Sequence, residues 1–288
     1  MSSNIILDDV EHWTIVLHYH LMKNAGTTVA AILEREFGAA FSEVHRPSSN
    51  GRIAADDIVA LVRRTPHLRA LSSHHFTFPV PKVRGVTFVD ICPVRHPIDR
   101  LESLYTYLRV SPQVDELSAL AGAYDTGAFL RIALDRYPNY THSVQTVALG
   151  NENEFRLVDD EALRRAVAAV RSAFVVAVVE RLAESLCAAE YYLRPLLPDL
   201  QLHYVVQNNT RDPYQPLRDK LADLENRCSA MLMEELRVAN RADLALYDAT
   251  NEELDRRIAA IPAFEARLVK FRERCAEAAA EAEAAAVQ

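Results

Sequence analysis

The chain has 288 residues, 50% of them hydrophobic, enough to bury one large α/β domain or two small ones. Its net charge of -8 argues against nucleic acid or an anionic membrane as the main partner, because phosphate-tracking surfaces carry excess Lys and Arg; a local basic cleft stays compatible. Scattered Cys92, Cys187, Cys228 and Cys275 without metal-type spacing, a polar acidic stretch at Met1 to Glu11, and the lack of any apolar run of about 18 residues lead us to expect reduced thiols, no metal, no membrane span and a cytoplasmic location.

Trp13 to His20 (WTIVLHYH) is a β-rich run and is predicted as a strand. A Gly- and Thr-containing turn, Lys23 to Thr28, leads into a helix with apolar Val29, Ile32, Leu33 and Phe37, stopped by Gly38. Ile58 to Arg64 reads as helix and Leu68 to Ser73 as a short strand. Val86 to Val94 (VTFVDICPV) is nearly all apolar, the pattern of a strand covered on both faces in a parallel sheet. Pro97 then falls in the first turn of a helix running to Arg109, where its missing N–H costs little. Asp159 or Asp160 caps a helix with an apolar face of Leu163, Ala166, Val167 and Val170. Ala173 to Val179 is a second buried-strand run, feeding a helix from Glu180 to Leu193 with Pro195 beyond it. The last third is charged and helical. Its stripe of Phe264, Leu268, Phe271 and Cys275 precedes an Ala/Glu tail, which is either a solvent-facing helix end or the contact of a homodimer.

Strands alternating with helices predict a mostly parallel central sheet flanked by helices. We divide the chain into an α/β domain over 1–250 and a helical C-terminal extension over 251–288. Ligands bind such sheets at the carboxyl ends of the strands, which directs attention to the three turns after Trp13–His20, Leu68–Ser73 and Val86–Val94.

The first turn is His20-Leu21-Met22-Lys23-Asn24-Ala25-Gly26-Thr27-Thr28. Backbone N–H groups of Asn24, Ala25 and Gly26 and the first turn of the helix suit an anion such as phosphate. Gly26 permits close backbone approach, Thr27 and Thr28 add hydroxyls, and Lys23 adds a mobile charge. Lys precedes the Gly here, unlike the Gly-Lys-Ser/Thr of nucleotide-triphosphate loops with their Mg²⁺ hydroxyl. The segment alone also suits an ordinary strand–helix turn with a surface Lys. The turn after Val94 carries Arg95, whose planar fork suits a phosphate, with Ser103 two helical turns further on. The remaining turn ends Ser72-Ser73-His74-His75. An imidazole at a strand end is suited to take a proton from a hydroxyl, and His74 or His75 is the candidate base.

Together these residues resemble the PAPS-dependent sulfotransferases, where PAPS is 3′-phosphoadenosine-5′-phosphosulfate. The branch in question includes the heparan-sulfate 2-O-sulfotransferases and bacterial relatives. His20, Lys23, Gly26, Thr27 and Thr28 match its 5′-phosphosulfate loop, roughly His-Ile-Pro-Lys-x-x-Gly-Thr-Ser/Thr; Met22 stands where Pro is usual. Arg95, Pro97, Arg100, Ser103 and Tyr105 match its 3′-phosphate motif, with His96 where Asp is usual. Val144–Gly150, Phe174–Leu186 and Ala239–Tyr247 resemble later landmarks, so the likeness covers roughly 12–250.

The resemblance implies a P-loop-like three-layer domain that moves the sulfuryl group of PAPS to a carbohydrate, phenol or small-molecule hydroxyl, leaving PAP, with no metal. It implies that Lys23 and the loop through Thr28 hold the 5′ end, and that Arg95 and Ser103 hold the 3′-phosphate. Arg100 either joins them or pairs with a carboxylate. His74 aligns with the family's base, and His75 points the other way in an extended chain. Two other functions compete: a P-loop-type nucleotide kinase or hydrolase, and a non-catalytic PAP-binding protein. The acceptor pocket is expected along Ser111 to Gly150, with Tyr124, Phe129, Tyr137 and Tyr140 read mostly as core. Asp90, inside a buried strand, has no assigned role.

Overall fold

A computed structural model describes residues 13–46, 51–111, 115–150, 158–206 and 215–286. The acidic stretch Met1 to Glu11 and part of the expected acceptor segment, 112–114, lie outside the described residues. Strand β1, Trp13–Tyr19, is central. Its alternation sends Ile15, Leu17 and Tyr19 into one core and Val16 into another. Four strands join it, all parallel: β2 (Phe41–Glu43), β3 (Ala70–Ser73), β4 (Val86–Val94) and β5 (Val175–Val178). The order is β2-β3-β1-β4-β5, so the chain crosses β1 between β3 and β4.

Helices α2 (Ala55–Arg64), α8 (Asp160–Ser172) and α12 (Arg241–Ala259) cover one face of the sheet. Helices α1 (Gly26–Phe37), α9 (Leu182–Leu193) and α13 (Phe264–Ala286) cover the other. The result is a three-layer α/β fold with a parallel sheet and a helical C-terminal part. Burial on both faces explains the nearly unbroken apolar runs of β4 and β5. A third core lies among α3 (Pro97–Val110), α4 (Glu116–Ala123), α5 (Thr126–Arg136), α10 (Leu217–Glu225) and α11 (Ala230–Ala239). Phe129 is fully buried there, Tyr137 and Tyr140 pack against it, and Tyr124 is exposed.

Local chemistry sets the boundaries. Asp159, not Asp160, caps α8: its carboxylate accepts from the Ala162 N–H at 2.8 Å, a bond type that contributes about 1 kcal/mol. Glu180 lies in a 3₁₀ turn, Val179–Arg181, so α9 begins two residues later than expected. Pro93 is tolerated in β4 because the β1 ladder stops at His18 opposite Ile91. Asp90 also gains a role. It accepts from the Phe174 N–H at 2.9 Å, while Arg257 donates to the Ala173 and Phe174 carbonyls at 2.8 and 2.9 Å, together fixing the start of β5.

Helix α12 runs through position 250 without a break, and α13 shares a core with the sheet. The stripe of Phe264, Leu268 and Phe271 is buried against this chain's own helices. At about 2 kcal/mol per large side chain, that burial makes α13 integral to the fold rather than an appendage. Arg274 pairs with Glu190 of α9 at 2.7 Å, and the Tyr204 N–H donates to Cys275 Sγ at 3.4 Å. Among the described residues no helix is long and apolar enough to cross a membrane. All four cysteines are free thiols.

Candidate functional site

At the carboxyl edge, β1 continues into the first turn through a bond from the His20 N–H to the Ser73 carbonyl at 3.0 Å. Lys23 and Ala25 then adopt left-handed conformations, φ 66° and 57°, which for residues with a Cβ cost about 1–2 kcal/mol each. Buried hydrogen bonds hold that shape. The Asn24 side chain is fully buried and donates to the Pro93 carbonyl at 2.8 Å and to Gln145 Oε1 at 2.7 Å. Asn24 therefore braces the turn: both side-chain N–H groups are used, and its backbone N–H donates to the Leu21 carbonyl at 3.2 Å, which leaves an anion to the N–H groups further along.

Gln145, on α7 (Val144–Leu149), joins the strand ends. Its Oε1 also accepts from the Arg95 N–H at 2.8 Å, and its Nε2 donates to the Arg95 carbonyl at 2.8 Å and to Asp243 at 3.2 Å. Asp243 in turn accepts from the Gln145 and Thr146 N–H groups at 3.1 and 2.7 Å. Asn240 donates to the Thr141 carbonyl at 2.8 Å. Two of the distant landmarks thus fix the turns after β1 and β4 against each other. Losing any one partner would strand buried groups at about 1–3 kcal/mol each.

Helix α1 starts at Gly26 with no side chain capping it. A Cβ on Gly26 would lie 1.8 Å from His20 Cδ2, so only glycine lets the ring pack there. Thr28 is buried and Thr27 exposed.

Arg95 reaches the same turn. Its Nε and Nη2 each lie 2.6 Å from Asp99 Oδ2, and its Nη1 donates to the Lys23 carbonyl at 2.9 Å. Three of the five guanidinium N–H groups are used this way. Lys23 Nζ sits 4.1 Å above the Tyr107 ring. Partial burial, reinforced by the Arg95 charge, brings its pKa down to about 8. Asp99, Ser103 and Tyr107 follow at four-residue spacing on one face of α3, which sets half-buried Ser103 between the residues that hold Arg95 and Lys23. Arg100 is turned inward: it is buried, donates to the Tyr140 carbonyl at 2.5 Å and has Asp243 as its nearby carboxylate.

His74 directly follows β3, with Nδ1 2.6 Å from the His20 carbonyl. A carbonyl only accepts, so Nδ1 carries the proton and Nε2 keeps its lone pair. Desolvation holds the His74 pKa below the ordinary imidazole value, against the opposing pull of that carbonyl and of Glu43. His75 faces away, its Nδ1 accepting from the Arg46 N–H at 2.9 Å.

Two features escaped the sequence reading. Glu180 accepts from the His96 N–H at 2.9 Å, and burial, with Asp99 beside it, pushes its carboxyl up to about 7. Imidazoles also stack along the edge: ring centroids are 5.1 Å apart for His18 and His20, 3.9 Å for His20 and His74, and 6.0 Å for His74 and His45. The signal was the period-two pair His18 and His20 beside Ser72 and His74, since β1 and β3 pair His18 with Ser72. Among the described residues no group of three or more His, Cys, Asp or Glu is placed to hold a metal. A groove of about 620 Å³ lies between α9 and α13, and none of the strand-end residues line it.

The site thus belongs to a parallel α/β protein with three strand-end turns meeting around one lysine, one arginine and one histidine. No known protein-family model matches the chain. Among curated proteins it is similar to an uncharacterized protein of Archaeoglobus fulgidus, 26% identical over 249 residues, covering 81% of this chain and 94% of that protein.

Proposed function

We propose that the protein is a sulfotransferase that binds PAPS across the carboxyl edge of the sheet and passes its sulfuryl group to a hydroxyl. The observation that carries this reading is the junction of Lys23, Arg95 and His74: Arg95 grips the Lys23 carbonyl, and His74 grips the carbonyl of His20 in the same turn. The acceptor hydroxyl loses its proton to His74 Nε2 as its oxygen attacks sulfur. The bond from sulfur to the 5′-phosphate oxygen breaks in line, and PAP leaves. Lys23 and the N–H groups opening α1 meet the charge that grows on the leaving oxygen, as preorganised donors do in other group transfers. Arg95, through its remaining N–H groups, and Ser103 serve the 3′-phosphate. Lys23 and backbone donors supply the positive potential at the leaving oxygen.

The test is incubation with PAPS and a panel of phenolic, alcoholic and carbohydrate acceptors while following PAP release. The expected result is PAP release that depends on an acceptor. Silence across the panel with rapid hydrolysis of ATP and Mg²⁺ would instead favour a kinase or hydrolase.

A further inference from the structure

The ring of His20 occupies an unusual place. One side lies 3.9 Å, centroid to centroid, from the imidazole of His74. Another side packs against Gly26, close enough that a Cβ there would fall 1.8 Å from Cδ2 and 2.0 Å from Nε2. The same residue's carbonyl holds the Nδ1 proton of His74. His20 is therefore the layer between the candidate base and Gly26, where the anion loop enters α1. Beneath it, His18 stacks at 5.1 Å and is itself anchored by Ser72 Oγ at 3.1 Å from its Nδ1. The platform rests on a buried, hydrogen-bonded support.

Resting on the transferase reading, we infer that His20 is a positioning residue: its carbonyl fixes the tautomer of His74, and its ring sets the spacing between that base and the donor loop. Charge chemistry at the ring is not required. Burial, with His74, His45 and Lys23 nearby, brings the His20 pKa down to about 3, so the ring is neutral at working pH. Its Nδ1 is buried without a partner, so an aromatic plate without nitrogens suits the place. The titratable groups that act on His74 are His18 and His20 from β1 and its turn, Glu43 at the end of β2 and His45 just beyond it, and, through its charge only, His75. A shift of the base by about 1 Å costs on the order of a hundredfold in rate, which sets the scale of the effect.

The test compares His20→Phe with His20→Ala, reading kcat, PAP affinity and the ¹⁵N imidazole resonances of His74. Wild type should show the Nδ1–H tautomer at His74. His20→Phe should keep that tautomer and kcat within about threefold, whereas His20→Ala should lose about tenfold to a hundredfold in kcat with PAP affinity little changed. In the Ala variant the His74 midpoint should move up toward the ordinary imidazole value as water replaces the ring. An Nε2–H tautomer in wild type overturns the inference, and so does a Phe variant that loses as much as Ala or an Ala variant identical to wild type. The tautomer and midpoint need no turnover. A protein without PAP release, yet with the expected His74 spectra, would sink the transferase reading and leave the positioning role standing. Should the Ala variant not fold, the wild-type tautomer and the Phe variant decide alone.

Discussion

Replacing Lys23 with Ala is expected to lower kcat about a hundredfold to a thousandfold while PAP affinity falls far less, the mark of a donor that acts mainly on charge developing in the transition state. The lysine is only partly buried and rests on the Tyr107 ring, and the proposed step has it turn from there to the leaving oxygen. On the proposed reading PAP is held largely by backbone N–H groups and by Arg95, whose bond to the Lys23 carbonyl the substitution leaves in place. A pH dependence accompanies it. The acting form is the ammonium, and its pKa is brought down to about 8. Wild-type kcat/KM should therefore be retained below that value and fall as pH rises through it. The residual activity of Lys23→Ala should lack this limb. Steady-state kinetics with calorimetry of PAP checks both parts; near-normal turnover in the variant would remove Lys23 from the mechanism.

His74→Ala is expected to cost about 10² to 10⁴ in rate, the range for loss of a positioned general base. The neutral imidazole is the acting form, and desolvation lowers its pKa. Activity should thus persist on the acid side of the ordinary imidazole value and be lost as pH falls through the lowered one. The variant's residual rate should be flat across that window. His75→Ala provides the control, since the His75 ring is spent on the Arg46 N–H. A loss under about tenfold for His74→Ala would move the proton acceptor elsewhere along the edge.

Much of the scaffold was legible because it is written locally. β4 is a nine-residue run that is nearly all apolar, Pro97 fixes the first turn of α3, and α1 ends before Gly38. Strand β2 is three residues of mixed exposure, created by pairing with β3 rather than by its own pattern. In the site, motif spacing placed Lys23, Gly26, Arg95 and His74 at strand ends, but spacing fixes a position and not a rotamer. Asn24 and Arg100 turn inward because their partners, Gln145 and the Tyr140 carbonyl, lie far along the chain. The histidine stack needed the β1–β3 register, and Glu180 needed its burial; both are tertiary facts that no single segment carries.

The proposed transfer depends on one edge of the sheet recognising an adenosine phosphorylated at both its 3′ and 5′ positions. Calorimetric titration of the wild-type protein with PAP, with 5′-AMP and with ATP plus Mg²⁺ tests this most directly. One PAP should bind per chain, at least about tenfold tighter than 5′-AMP because Arg95 and Ser103 meet the added phosphate, and tighter than ATP with Mg²⁺. No heat from PAP, or a preference for ATP with Mg²⁺, would contradict it.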